Sequence, residues 1–153
     1  MAGESVRHQI TDAVIAALEG ITSANGHSTD VAMVSESIKH WEEIDKDDFP
    51  CCFPIDADEK KEWASFGGTS DLEGNLTIIV TSMVYSTTNT TRTARTNLIR
   101  DVEKAIMNDT TLAALILNIA PVRVVTDKGS IPNYSVFDQE FLITYRYGSS
   151  AGG

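Results

Sequence analysis

The stretch 72–85, LEGNLTIIVTSMVY, constrains this chain more than any other. Read with the two-residue period of a strand, Leu76, Ile78, Val80 and Val84 fall on one face, and Ile79, Thr81, Met83 and Tyr85 on the other. A strand apolar on both faces belongs in the middle of a sheet, with material covering each side. The rest of the chain must supply that cover.

Helices and flanking strands can be read around it. Val6, Ile10, Val14, Ala17, Leu18 and Ile21 form a single apolar stripe at helical spacing, with Ser5 placed to cap its start and Gly26 to stop it. Residues 31–36, rich in β-branched and apolar types, predict a short strand, and 37–48 a polar acidic loop. Residues 49–55, FPCCFPI, read as a short apolar strand; Pro50 and Pro54 cannot donate to a ladder and place it at a sheet edge. An acidic link, 56–62, then leads to Trp63, Phe66 and a Gly67-Gly68 turn. After a Thr-rich connection, 92–108 predicts a second helix with Ala94/Arg95, Leu98, Val102, Ala105 and Ile106 inward. Its wet side carries Arg92, Arg100, Asp101, Glu103 and Lys104. Asp109 can cap a short helix over 110–117. Strands 121–127 and 136–147 close the chain as a hairpin whose tip, 128–135, holds Gly129, Pro132 and Asn133.

The order α-β-β-β-α-α-β-β, dominated by hairpins, predicts an α+β fold: an antiparallel (mixed) β-sheet with the N-terminal helix and a second helix pair packed on it. At 153 residues, 1–147 make one domain and 148–153 a flexible tail. No apolar run approaches the ~20 residues of a membrane span, so no membrane partner is expected. The start MAGESVRHQ has no basic segment followed by an apolar one, so no secretory signal is expected either.

Catalytic chemistry finds few footholds. His8, His27 and His40 form no ligand pattern, and there is no nucleophile elbow and no phosphate-binding glycine loop. Cys51 and Cys52 are adjacent, lack a second pair to complete a zinc site, and read as small apolar thiols within a strand. His40 with Glu42, Glu43 and Asp45 lacks the fixed register and turn glycine of a cation loop, so it reads as solvated acid. We expect no catalytic residues, no cofactor and no metal, and hence no enzyme. Charge is more informative. The chain carries a net −10, and the segment 36–62 alone holds ten acidic against four basic residues. Such a surface repels phosphate backbones, so DNA could pass it without being gripped. Aromatic side chains flank the acids. Trp41, Glu42, Glu43, Asp47, Asp48, Phe49, Phe53 and Trp63 are therefore the candidate protein-interface residues, since Trp and Phe amid charge are what partner surfaces use. Packing within the chain is the competing account of the aromatics.

The organisation as a whole resembles the tail terminator (tail-completion) proteins of long-tailed bacteriophages. The resemblance runs from Val6 to Tyr147 and is carried by LTIIVTSMVY, by the helix bearing Leu98, Ile99, Asp101, Val102, Ala105 and Ile106, by the turn Asp109, Thr111, Leu112, and by the closing strand FDQEFLITYRY. Ala113-Ala114 stand where relatives often carry glycines. The resemblance implies a virion structural protein of the tail or neck, made in the host cytoplasm. It would close as a homo-hexameric ring on the finished tail tube, stop tube polymerisation and present a docking surface. The implied partners are its own copies, the tail tube protein, the head-tail connector or a neck protein, and a sheath protein, with DNA passing through unbound. The acidic segment would then either line the lumen or dock a partner. A neck or head-completion protein is the near alternative. A small enzyme or ligand-binding domain, with the acidic loop and Trp41/Trp63 as its pocket, is the distant one.

Overall fold

The computed structural model describes residues 5–64, 71–87 and 90–149. Helix α1, Val6–Glu19, starts where Ser5 Oγ accepts the His8 amide at 3.2 Å. It ends at Gly20, ahead of the expected Gly26. The reason is tertiary: Ile21 is fully buried and its carbonyl accepts from Val31 N at 2.9 Å, so the chain must leave the helix there. Gly26, at φ 86°, closes a following 3-10 turn instead, in a left-handed conformation that suits glycine.

Strand β1, Met33–Val34, is shorter than expected, and it runs parallel to β2, Cys51–Trp63, along Cys51 and Cys52, so the start of β2 is not the sheet edge that Pro50 and Pro54 predict. The acidic stretch 56–62, expected as a link, is strand. Its charges hid the signal, because Asp56, Asp58 and Lys60 face solvent while Ala57 and Glu59 between them are half-buried. A bulge between Asp56 and Glu59 shifts the register against β3, Asp71–Tyr85. Helix α2, Thr91–Met107, and helix α3, Thr110–Leu115, follow, the latter capped as expected by Asp109 Oδ2 accepting from Leu112 N at 2.7 Å. Strands β4, Asn118–Thr126, and β5, Tyr134–Gly148, complete a five-stranded mixed sheet of order β1-β2-β3-β5-β4. The expected Phe66 and Gly67-Gly68 turn and residues 150–153 of the tail lie outside the described residues.

As the two apolar faces of β3 suggest, it is the central strand; one face is covered along its length and the other at one end, with Ile79 left half-buried. One face carries Leu76, Ile78, Val80 and Val84, with Phe137, Phe141, Ile143 and Tyr145 of β5. Ile10, Val14 and Leu18 of α1, Leu98, Val102 and Ile106 of α2, and Leu112 of α3 close over them. The other face bears a smaller cluster, Ile44, Cys51, Phe53 and Met83, at one end of the sheet beneath residues 41–49. Gly74 is a glycine for a local reason: a Cβ there would lie 2.8 Å from Tyr145 Cε1, in the floor of the core.

One expectation for α2 is overturned. Asp101 is not on the wet side but 1% exposed, accepting the Ser28 amide at 3.0 Å with His27 Nδ1 3.7 Å away. It staples the segment after α1 to α2, a role that helical periodicity cannot reveal.

Cys51 and Cys52 are free and fully buried, and burial pushes both thiols up to about 12 from an ordinary 9.0. Burial also raises the Tyr145 phenol, with the Glu59 carboxylate beside it acting in the same direction. Above pH 9 the unfolded chain gives up thiol protons that the folded chain keeps, so the stabilisation present below pH 9 is lost as pH rises towards 12. Denaturant midpoints measured from pH 7 to 11 should fall on the alkaline side, and native protein at pH 8 should react with a maleimide only at its unfolding rate. Stoichiometric labelling within minutes would show that the thiols are open.

Candidate interaction surfaces

The acidic segment is a folded cap. His40 Nδ1 accepts from Glu42 N at 3.3 Å and starts one 3-10 turn, Trp41–Glu43; a second, Lys46–Asp48, follows. Between them Ile44, 6% exposed, plugs into Cys51, Phe53 and Met83 and seats both turns on the sheet. The aromatic residues complete the seat. Trp41 lies 4.6 Å from Tyr134 between ring centroids, Phe49 lies 5.6 Å from Tyr134 and 6.1 Å from Tyr85, and Tyr85 and Tyr134 are 4.8 Å apart. Lys46 Nζ stands 5.1 Å from the centre of the Tyr85 ring.

The eight candidate interface residues are thus divided. Trp41, Glu42, Glu43, Asp47, Asp48 and Phe49 are together in the cap, where Glu42, Glu43 and Asp47 are exposed and Asp48, Trp41 and Phe49 are half-buried. Phe53 lies beneath them with no exposed surface and belongs to the core. Trp63 is 61% exposed but sits at the other end of β2, opposite Leu72, roughly 40 Å along the strand from Cys51 at ~3.3 Å per residue. Trp41 and Trp63 therefore cannot share a pocket.

A second surface escaped sequence reasoning. β4 is an outer strand of the sheet, and it exposes Val122, Val124 and Val125 at 57%, 44% and 48%. Its backbone groups facing away from β5 have no strand partner among the described residues. Arg123, ion-paired with Glu140, is the one charge along this edge. The run Val-Arg-Val-Val carried the signal, being too apolar for a solvated edge.

A second charged side chain with little exposure, Glu59, lies near the far end of β2. Tyr145 donates to Glu59 Oε1 at 2.5 Å, and Lys61 Nζ and Arg7 Nη1 stand 3.2 and 3.8 Å from Oε2. Arg7 also clasps Asp56 Oδ2 through Nε and Nη2 at 3.0 and 2.8 Å. These groups neutralise one another and tie α1 to the sheet, and no nucleophile stands among them. Among the described residues no group of three or more His, Cys, Asp or Glu could hold a metal, and no helix is long and apolar enough to cross a membrane.

No family model and no curated protein matches this chain. Among solved structures it is similar to a chain from the virion of a native gene transfer agent particle. That match has 12% identity, a TM-score of 0.36, and covers 94% of this chain and 92% of the other. A TM-score of 0.36 is too low to carry an inference about role. The surfaces themselves must therefore carry the functional reading: an acidic aromatic cap at one end of the sheet and a bare apolar edge along one side.

Proposed function

We propose that this chain is a non-enzymatic virion structural protein, a tail terminator that closes as a ring, in the hexameric form of that family, on the end of a phage tail tube. The observation that carries the assembly reading is the β4 edge. A nine-residue strand showing three valines and unpaired backbone is a liability for a lone subunit, and a neighbouring chain would cover it. The choice of terminator over other assembly proteins rests on the sequence resemblance from Val6 to Tyr147. Tail tube protein and the head connector or neck protein are then the partners above and below the ring, a sheath protein is a further one, and DNA passes through without specific binding. The distant alternative, a ligand pocket between Trp41 and Trp63, loses its site because those residues stand at opposite ends of β2.

Light scattering at high protein concentration and negative-stain microscopy of the chain mixed with tail tubes test the ring. A mass of one subunit under both conditions would defeat the proposal. The acidic cap supplies a sharper measurement. Converting Glu42, Glu43, Asp47 and Asp48 to Lys should block joining, so that headless tails accumulate, if these carboxylates dock a partner. If they line the lumen, tails should assemble and DNA retention or ejection should fail. The half-buried Trp41 and Phe49 beneath the carboxylates favour docking. Normal infectivity of the quadruple variant would defeat both.

A further inference from the structure

The rim of the sheet that carries the acidic cap carries the opposite charge on its other face. There the start of α2 and the β4–β5 connection enclose a cleft of about 270 Å³, into which Arg92, Arg95 and Lys128 converge. Three of the chain's twelve basic residues thus meet at one place in a molecule of net charge −10. Asp127, the carboxylate paired with Arg95, is already occupied: it accepts from Gly129 N, Val136 N and Ser135 Oγ at 3.0, 3.2 and 3.3 Å, with Arg95 Nη1 at 3.7 Å. Arg92 and Lys128 are exposed and have no acidic partner among the described residues. Lys128 and Gly129, at φ 59° and 75°, form the turn that places the Lys128 side chain at the cleft.

We propose that this cleft receives the acidic cap, residues 41–48, of a second copy of the same chain. The inference rests on the ring reading and takes a neighbouring copy, rather than the tube, the connector or the lumen, as what the cap's carboxylates face. The cap presents Glu42, Glu43, Asp45, Asp47 and Asp48 against a single Lys46, the complement of the cleft's uncommitted positive charge. Cap and cleft lie on opposite faces of one rim, with Tyr134 common to both: its ring packs on Trp41 while the residue lines the cleft. Each copy can therefore accept a neighbour on one face and be accepted on the other. This contact joins two different patches, so it is heterologous and closes into a ring where the rotation allows. Because the charges are exposed, the contact weakens as salt shortens the screening length below ~8 Å.

Two measurements test the contact. In a mixture of ¹⁵N-labelled and unlabelled chains, zero-length carbodiimide coupling should join Lys128 to Glu42, Glu43 or Asp47 through mixed-isotope peptides. The pair Arg92→Glu and Lys128→Glu should weaken assembly at least tenfold, and so should Glu43→Lys with Asp47→Lys, while the chain carrying all four changes should recover most of it. These sites are exposed, so an unchanged melting temperature certifies the fold, and the coupling on the unaltered chain stands even if a variant misfolds. Rings that form normally in both charge-reversed pairs, or couplings confined to single copies, would overturn the contact and leave the ring. A chain that stays a single subunit, alone and on tail tubes, would overturn both.

Discussion

Val102→Asp should destabilise the fold by roughly 3–5 kcal/mol, a large share of the ~5–15 kcal/mol that holds a domain of this size together. Val102 has no exposed surface and lies in the main cluster with Leu98 and Ile106 of the same helix and the aromatic residues of β5. A carboxylate there would be set among hydrophobic side chains. The nearest buried acid in sequence, Asp101, already takes the Ser28 amide and faces His27, so the new group either stays charged and unpaired or takes up a proton at similar cost. In thermal unfolding the change should appear as a fall of roughly 10 °C, at about 2–4 °C per kcal/mol. An unchanged midpoint would put this face of α2 outside the core.

Phe53→Ala should be comparably severe, roughly 3–5 kcal/mol, because it removes a fully buried ring from a cluster too small to collapse around the hole. Trp63→Ala, at a side chain 61% exposed, should change stability by no more than about 0.5 kcal/mol. The pair separates packing from contact among residues that share an aromatic, acid-flanked neighbourhood in sequence. Equilibrium urea curves decide it: a Phe53→Ala chain as stable as its parent would mean that the cap does not rest on Phe53. A Trp63→Ala chain losing several kcal/mol would mean that the end of β2 is packed rather than free.

Much of the architecture was legible because its signals are local. The two-faced period of β3, the alternation of β5, the apolar stripes of α1 and α2 and the Ser5 and Asp109 caps each follow from residues a few positions apart, and each is in place. What was hidden depends on partners distant in the chain. The charged half of β2 is strand because Lys60, Lys61 and Glu62 have Asn75, Gly74 and Glu73 to pair with. Asp101 is buried because the Ser28 amide comes to meet it. Of the candidate surface, the cap residues were legible through their charge and aromatic content. The division that sends Phe53 inward and Trp63 to the far end of β2 depends on strand length and on which face each residue takes. The β4 edge was missed because which strand lies outermost depends on pairings between residues distant in the chain.

The pairing of β3 with β5 also sets a timetable. Tyr85 bonds opposite Tyr134, 49 positions later, and Asp71 opposite Gly148, 77 positions later, with both long helices packed on the product. At ~5–20 residues per second, a ribosome finishes β5 on the order of 4–15 s after it starts β3. Through that interval β3 can hold β2 on one side and nothing on the other, although it is the most apolar strand of the fold. Contacts so far apart in the chain also form slowly once the chain is complete, on the ms–s scale of non-local sheets. Chains cut short before residue 134 should therefore collect in the insoluble fraction of an expressing cell, whereas the full chain, once β5 has closed the centre of the sheet, leaves the outer sides of β4 and of β2 beyond Cys52 without a strand partner among the described residues.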